Sequence, residues 1–171
     1  MKPQHPKAAW LIRHLDLRPH PEGGWYRESY RATDILAGNA LPPRYTGERN
    51  ASTAIYFLLT TDVFSALHRL NSDEVWHFYS GNPLTIHSLD TDGNYTPLKL
   101  GSNPEEGDLF QTLIPSGTWF GATVDGKDGY ALVGCTVAPG FEFADFTMAK
   151  QDDLLDRYPQ HAGLIKRLTH S

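Results

Sequence analysis

From Thr53 onward the chain is a succession of short segments rich in β-branched and aromatic residues, and turn sequences such as TDGN, PSG and DGKDG separate them. Several segments alternate polar and apolar residues, which is the period of a strand with one buried face. Evenly spaced short strands of this kind are typical of a β-sandwich or a β-barrel. The pattern therefore predicts an all-β fold built from segments that include STAIYFLLT, VFSALHRL, EVWHFYSG, FQTLIP, TWFGATV and YALVGCTVAP.

Both ends of this β region show helical spacing instead. AAWLIRHLDL (8–17) repeats apolar residues at helical intervals and stops at Pro19, and the tail over 150–168 does so with a break near Pro159. Residues 35–50 contain two prolines and two glycines, which predicts a loop long enough to act as a lid or to cover a sheet edge. We expect one domain over 1–171, with a barrel core of about 20–147 and a helical tail of 150–168.

Composition narrows the classes of protein that remain. The chain has 171 residues and a formal net charge of -5, and no run of Lys or Arg forms a patch for nucleic acid. The single cysteine, Cys135, has apolar neighbours and predicts a buried, unreactive thiol rather than a disulfide or a structural zinc site. No apolar run reaches the roughly 20 residues of a membrane helix, and the N-terminus lacks the apolar core of a signal peptide. We expect a cytoplasmic protein without membrane partners.

The stretch SALHRLNSDEVWHFYSG carries the candidate chemistry. Strand alternation places Glu74 and Trp76 on one face and His77 on the other, so Glu74 joins an inward-facing His68 while His77 faces away unless a bulge shifts the register. A buried His–Glu pair perturbs both pKa values and can orient the imidazole as a general base. The alternative is a core histidine beside a purely structural carboxylate.

The spacing His68-x-Leu70-x3-Glu74-x6-Gly81 resembles the first cupin motif, and GDLFQTLIPSGTWFG resembles the second, with Phe120 at the usual histidine position. The ordered set HPEGGWYRESYR, STAIYFLL, HRLNSDEVWHFYSG and LVGCTVAPGFEFADF is similar to the fifth cupin group, a bacterial and fungal family of undefined function. The similarity extends over about 20–146, which is most of the chain.

This resemblance implies a cupin-type jelly-roll β-barrel with short N- and C-terminal helices, a pocket in its mouth and a homodimeric assembly. STAIYFLL and GFEFADF offer apolar strands for covering sheet edges between protomers. Metal-binding cupins place three histidines and one glutamate around the ion, whereas this chain has Leu70 and Phe120 at two of those positions. We therefore expect no certain cofactor, and at most weak binding of a divalent metal by His68, Glu74 and Gln111.

The strand YRES supplies further candidates for ligand binding. Arg27 suits a phosphate or carboxylate through its two-pronged donor geometry, or it forms a surface salt bridge with Glu22 or Glu28. Tyr26 and Glu28 share the other face of this strand.

Three more side chains are candidate ligand contacts on later strands. Gln111 offers a neutral polar contact or a weak metal ligand. Trp76 and Trp119 offer stacking surfaces for a sugar or a planar ligand, with core packing as the alternative.

The favoured function is a cupin that binds a small polar ligand, such as a sugar or sugar nucleotide, and acts as an isomerase or epimerase. SALHRL resembles the segment of dTDP-sugar epimerases whose histidine is the catalytic base. The resemblance implies that His68 removes a proton next to a carbonyl, that Glu74 orients it, and that Tyr26 or another tyrosine returns the proton. A metal-dependent cupin enzyme and a non-catalytic binding cupin are the alternatives.

Overall fold

The computed structural model describes residues 5–170, which fold into two antiparallel sheets, a small hairpin-like pair and three helices. The helices are α1 (Pro6–His14), α2 (Gln151–Arg157) and α3 (Ala162–Arg167). The strands are β1 (Arg18–Pro19), β2 (Trp25–Arg31), β3 (Ile35–Leu36), β4 (Arg49–Asn50), β5 (Thr53–Thr60), β6 (Ser65–Leu70), β7 (Asp73–Gly81), β8 (Leu84–Leu89), β9 (Tyr95–Leu100), β10 (Gln111–Ile114), β11 (Trp119–Val124), β12 (Tyr130–Ala138) and β13 (Phe146–Met148).

The two sheets pack face to face as a jelly roll. One has the order β1-β2-β5-β12-β7-β10 and the other β13-β6-β11-β8-β9, while β3 and β4 pair separately. The core between them contains large buried side chains from both sheets, among them Phe57, Trp76, Ile86, Phe120 and Val133. The named strands pair within each sheet rather than closing one continuous cylinder. The all-β jelly-roll prediction is confirmed.

The C-terminal tail is helical, as its spacing predicted, and it buries the outer face of the five-stranded sheet. Leu154 and Ile165 of α2 and α3 pack on Leu67, Leu89 and Trp119. Because the tail covers that face, β6 is buried on both sides: five of its six residues are buried and Arg69 is partly buried.

The N-terminal helix lies earlier in the chain than its spacing predicted. It spans Pro6–His14 because His5 caps it, with Nδ1 accepting the Ala8 backbone N–H at 3.4 Å, and because Pro6 suits the first helical turn. No helix within residues 5–170 is long and apolar enough to cross a membrane.

The predicted loop over 35–50 is anchored rather than open. Its ends pair as β3 and β4, and Arg49 donates two hydrogen bonds to the Asp145 carboxylate, at 2.6 and 2.8 Å. Both side chains of this ion pair are about 5% exposed or less. The segment that follows β12 is thereby fixed beside the first sheet, and this segment contributes one wall of the cavity described below.

The sheet edges differ from the prediction in one respect. STAIYFLL forms β5, which lies inside its sheet between β2 and β12, so it cannot cover an edge as predicted. The exposed edge of that sheet is β10, where Leu113 is 48% and the preceding Phe110 59% exposed. An apolar strand edge of this kind invites pairing with another chain.

We propose that a second copy of this chain covers the β10 edge. Light scattering at micromolar concentration should then report a homodimer, and Leu113→Glu should shift it to a monomer, because a buried unpaired charge would oppose the contact. Ile35→Glu, which also places a charge at an exposed apolar position, should leave the dimer intact. A monomeric wild type would contradict this prediction.

Candidate functional site

A cavity of about 270 Å³ lies against the inner face of the six-stranded sheet. Strand β6 and the segment 141–146 complete its wall, and the exposed side chains of Glu28 and Phe143 mark its opening. Seven ionisable side chains other than cysteine and tyrosine line it: His20, Glu22, Glu28, Arg31, His68, Glu74 and Glu142. Such a concentration of ionisable groups around one cavity indicates a functional site.

His68 lies at the inner end of the cavity, where strand alternation predicted it. Its side chain is 3% exposed, and its ring packs on Phe120 with centroids 4.2 Å apart. Nδ1 lies 2.7 Å from the Ala66 carbonyl oxygen, and because a carbonyl can only accept, Nδ1 carries a proton. In the neutral ring the lone pair is therefore on Nε2. Burial lowers the pKa of His68, with the charge of Glu74 acting in the opposite direction.

Glu74 lies on β7 with its carboxyl group buried beside the same cavity. Oε2 accepts a hydrogen bond from the Trp76 indole N–H at 3.0 Å. Burial raises the pKa of Glu74 to about 7, while His68 opposes this rise and Glu22 adds to it. Glu74 therefore exchanges its proton near neutral pH, which an ordinary carboxyl group does not do.

Two site residues were not predicted as such from the sequence. Glu22 Oε2 lies 3.2 Å from His68 Nε2 and 3.4 Å from His20 Nδ1, and Glu22 Oε1 accepts a hydrogen bond from the Ser65 hydroxyl at 2.8 Å. Glu22 was considered only as a surface partner of Arg27, yet its side chain is 8% exposed. Burial raises the pKa of Glu22 and lowers that of His20.

The turn between β1 and β2 is what brings Glu22 and His20 inward. Gly23 and Gly24 have φ angles of +115° and +71°, a region that L residues rarely adopt. A Cβ at Gly23 would lie 2.1 Å from the Phe64 carbonyl oxygen, which shows how closely this turn approaches the start of β6. The sequence signal for the site was present in HPEGG, where a His-x-Glu precedes two glycines.

Arg31 closes one side of the opening with all five of its N–H donors engaged. Nε and Nη2 donate to the two carboxylate oxygens of Glu28 at 2.9 Å each, and Nη1 donates to Glu142 at 2.7 Å. The other two bonds reach Asn50 Oδ1 at 2.8 Å and the Phe141 carbonyl at 3.1 Å. A bulge between Glu28 and Tyr30 turns Arg31 toward the cavity beside Glu28.

The YRES strand divides as its alternation predicts. Tyr26 and Glu28 line the cavity, whereas Arg27 lies on the opposite, exposed face. The Arg27 guanidinium is 5.9 Å from the centroid of the Tyr56 ring, outside the cavity lining. The prediction that Arg27 contacts a ligand in this pocket is therefore wrong, since the arginine at the cavity is Arg31.

Two further predicted ligand contacts also lie outside the cavity, and one lies at it, so that its contact with a ligand stays a prediction. Trp76 lines the cavity as predicted. Gln111 pairs with His77, which faces away from the cavity, so Gln111 is exposed on the same outer face. Trp119 lies one residue before Phe120 and consequently points the other way, into the layer beneath the C-terminal helices. His77 itself lies 3.0 Å from the Thr136 hydroxyl, consistent with its predicted polar role outside the site.

The candidate donor set does not fit a cupin metal centre. Leu70 lines the cavity at one histidine position, Phe120 packs on the His68 ring at another, and Gln111 lies outside. Within residues 5–170, no group of three or more His, Cys, Asp and Glu side chains is placed to hold a metal ion. Weak or absent binding of divalent ions stays a prediction.

Cys135 lines the same cavity, but its thiol is not a candidate nucleophile. The thiol is buried as predicted and lines the cavity. Burial raises the pKa of Cys135 well above its ordinary value, and the neighbouring Glu74 adds to this effect. The thiol is therefore protonated at neutral pH.

A jelly roll with an ionisable cavity between its sheets is the architecture of cupins among other β proteins, and the sequence decides for the cupins. The chain belongs to the cupin superfamily, because residues 9–149 match the family model described as Cupin superfamily (DUF985). This confirms the resemblance to a cupin family of undefined function.

Relatives with similar sequences share the whole fold. A hypothetical protein from Leishmania major has a TM-score of 0.85 and 38% identity, covering 95% of this chain and 98% of its own. Protein SO0799 from Shewanella oneidensis has a TM-score of 0.83 and 41% identity, covering 94% and 95%. The uncharacterized protein YML079W of Saccharomyces cerevisiae is 28% identical in an alignment of 155 positions that covers 85% of this chain and 76% of the yeast protein.

Proposed function

We propose that this cupin binds a small polar molecule in its cavity and transfers a proton to and from one of its carbon atoms, as an isomerase or epimerase does. One observation carries the proposal. A histidine–glutamate pair and a second carboxyl group with a pKa near 7 face the same cavity. When their environments give two ionisable groups different pKa values, one group can act as the base and the other as the acid in the same reaction.

The His68–Glu22 pair supplies the base. Both Nε2 and Oε2 are acceptors when unprotonated, and a proton between these atoms, 3.2 Å apart, satisfies both. Loss of that proton leaves a neutral imidazole beside a carboxylate, and this form can accept a proton from a substrate. The Ala66 carbonyl fixes the ring orientation, and the Glu22 carboxylate stabilises the imidazolium that forms.

Glu74 is the acid in this proposal. With a pKa of about 7 it is partly protonated at neutral pH, so it can return a proton to the substrate. Tyr26 also lines the cavity and is the alternative donor. Removing and returning the proton through different groups allows a hydrogen to change position or face on the substrate.

The size of the cavity favours a small substrate. About 270 Å³ is near the lower end of ligand pockets, so a monosaccharide-sized molecule fits better than an entire sugar nucleotide. Aromatic rings such as Trp76 and Phe146 provide flat apolar surfaces for a sugar ring.

Hydrogen exchange tests the proposal without knowledge of the product. The protein is incubated in D₂O with a panel of small hydroxy and amino aldehydes and ketones, and proton NMR follows loss of the C–H signal next to the carbonyl. We expect catalysed exchange for at least one compound that binds. Binding without any exchange would contradict proton transfer and favour the non-catalytic binding cupin.

A further inference from the structure

We infer that the ligand of this cavity carries a positive charge, and that it is a small ammonium compound of about monosaccharide size. The inference concerns the same cavity as the proposed function and deepens it by naming the class of ligand. It depends on the charges of the lining side chains, the engagement of Arg31 and the aromatic wall.

Negative charge dominates the cavity lining. Glu28 and Glu142 share the single guanidinium of Arg31, which leaves one excess negative charge. Glu22 and Glu74 are two further carboxyl groups of the lining, and because burial raises the pKa of both, they add to that charge only to the extent that they are ionised. The two histidines add little positive charge at neutral pH, because burial lowers the pKa of both. A cation entering this cavity gains favourable interactions that a neutral molecule does not, and an anion meets repulsion.

Arg31 cannot serve an anionic ligand as the structure stands. A carboxylate or phosphate is normally bound by a guanidinium with free N–H donors. All five donors of Arg31 already have partners, and three of these bonds go to carboxylates. Among the lining residues within the described part of the chain, no other Lys or Arg is available.

The aromatic wall favours the same ligand class. Phe141, Phe143 and Phe146 pack edge-to-face beside the opening, with ring centroids 5.1 to 6.2 Å apart. Phe143 is 53% exposed, so part of this wall meets the incoming ligand. Ring faces attract ammonium groups, and carboxylates on the other side of the cavity add to that attraction.

Charge-matched compounds test the inference directly. Calorimetry at neutral pH compares glucosamine, glucose and glucuronate, and then cyclohexylamine, cyclohexanol and cyclohexanecarboxylate, so that each set keeps its ring and varies chiefly in charge. We expect the amine to bind about tenfold more tightly than the alcohol in at least one set, and the carboxylate most weakly. If in neither set the amine binds most tightly, the inference is wrong.

Glu142→Gln provides a sharper test, because it removes one negative charge and leaves Arg31 Nη1 with a neutral amide oxygen in place of a carboxylate. The affinity for the tightest-binding amine should fall about three- to tenfold, while the matching carboxylate should bind more tightly than it does to the wild type. Glu105→Gln is the matched control, since it makes the same change at an exposed site outside the cavity lining. The inference would be overturned if both variants changed the affinities equally, or if Glu142→Gln did not weaken amine binding and strengthen carboxylate binding.

The binding results and the exchange results separate the two proposals. Amine selectivity without hydrogen exchange would support this inference and contradict proton transfer. Hydrogen exchange on a carboxylate compound that binds more tightly than its amine counterpart would support proton transfer and contradict this inference.

Discussion

Replacing His68 with asparagine should slow the catalysed hydrogen exchange by about 10²–10⁴-fold, the usual contribution of a positioned general base. Asparagine is similar in size but has no lone pair that accepts a proton near neutral pH. Exchange rates measured by NMR at saturating ligand give the effect on the chemical step, and calorimetry gives the effect on binding. A loss of binding alone, with an unchanged rate at saturation, would assign His68 to ligand binding instead of proton transfer.

His77→Asn is the matched control for this experiment. It makes the same substitution on β7, the next strand along the chain and part of the opposite sheet, where the side chain faces away from the cavity and contacts Thr136. The exchange rate of this variant should equal that of the wild type. If both variants lose activity together, the effect comes from the fold, and the thermal unfolding of each protein would show it.

Strand alternation explains why the centre of the site was predictable. His68 and Glu74 lie on regular strands with one face toward the core, so the side-chain period of two residues assigns each of them to a face. The same argument placed Trp76 on the face of Glu74 and His77 on the other, and it put Tyr26 and Glu28 on the face opposite Arg27. The evenly spaced strands and turns predicted a sandwich or a barrel, because each apolar strand face needs a second sheet to bury it, and the resemblance to cupins specified the jelly roll.

Predictions failed where a side chain was assigned to one face of its strand without knowing how that strand pairs with its neighbours. Gln111 and Trp119 were chosen for their chemistry, yet Gln111 pairs with the outward-facing His77 and Trp119 precedes the inward-facing Phe120. A difference of one residue moves a side chain to the other face of a sheet. Pairing between strands distant in the sequence determines these faces, and the local pattern does not contain that information.

Strand alternation could not predict which side chains on irregular backbone face the cavity. His20 and Glu22 lie on a turn whose direction depends on two glycines with positive φ angles. Arg31 faces the cavity because a bulge shifts the alternation after Glu28. These three residues account for much of the charge in the cavity. The sequence alone predicted His68 as the base, Glu74 as the group that orients it and Tyr26 as the proton donor, but it did not predict the contact of His68 with Glu22 or the ion pairs of Arg31.

Replacing Glu74 with glutamine should make the protein more stable at alkaline pH, although it removes the proposed acid. The pKa of Glu74 rises from 4.5 to about 7 on folding, so the folded state holds this proton more tightly than the unfolded state. The stabilisation from this group is complete below pH 4.5 and is lost as the pH rises toward 7. A shift of this size corresponds to about 3 kcal/mol in the free energy of unfolding.

Glutamine stays neutral at every pH and can still accept the Trp76 N–H, so Glu74→Gln should lack this loss. Urea unfolding at several values between pH 4.5 and 8 should therefore show a growing advantage of the variant over the wild type, reaching up to about 3 kcal/mol. His20, His68 and Glu22 titrate in both proteins, so the difference between the two curves reports the titration of Glu74 together with its coupling to His68 and Glu22. Glu105→Gln, an exposed substitution, should follow the wild type throughout. Parallel curves for Glu74→Gln and the wild type would mean that folding does not raise the pKa of Glu74. Glu74 would then be ionised at neutral pH and could not supply a proton there.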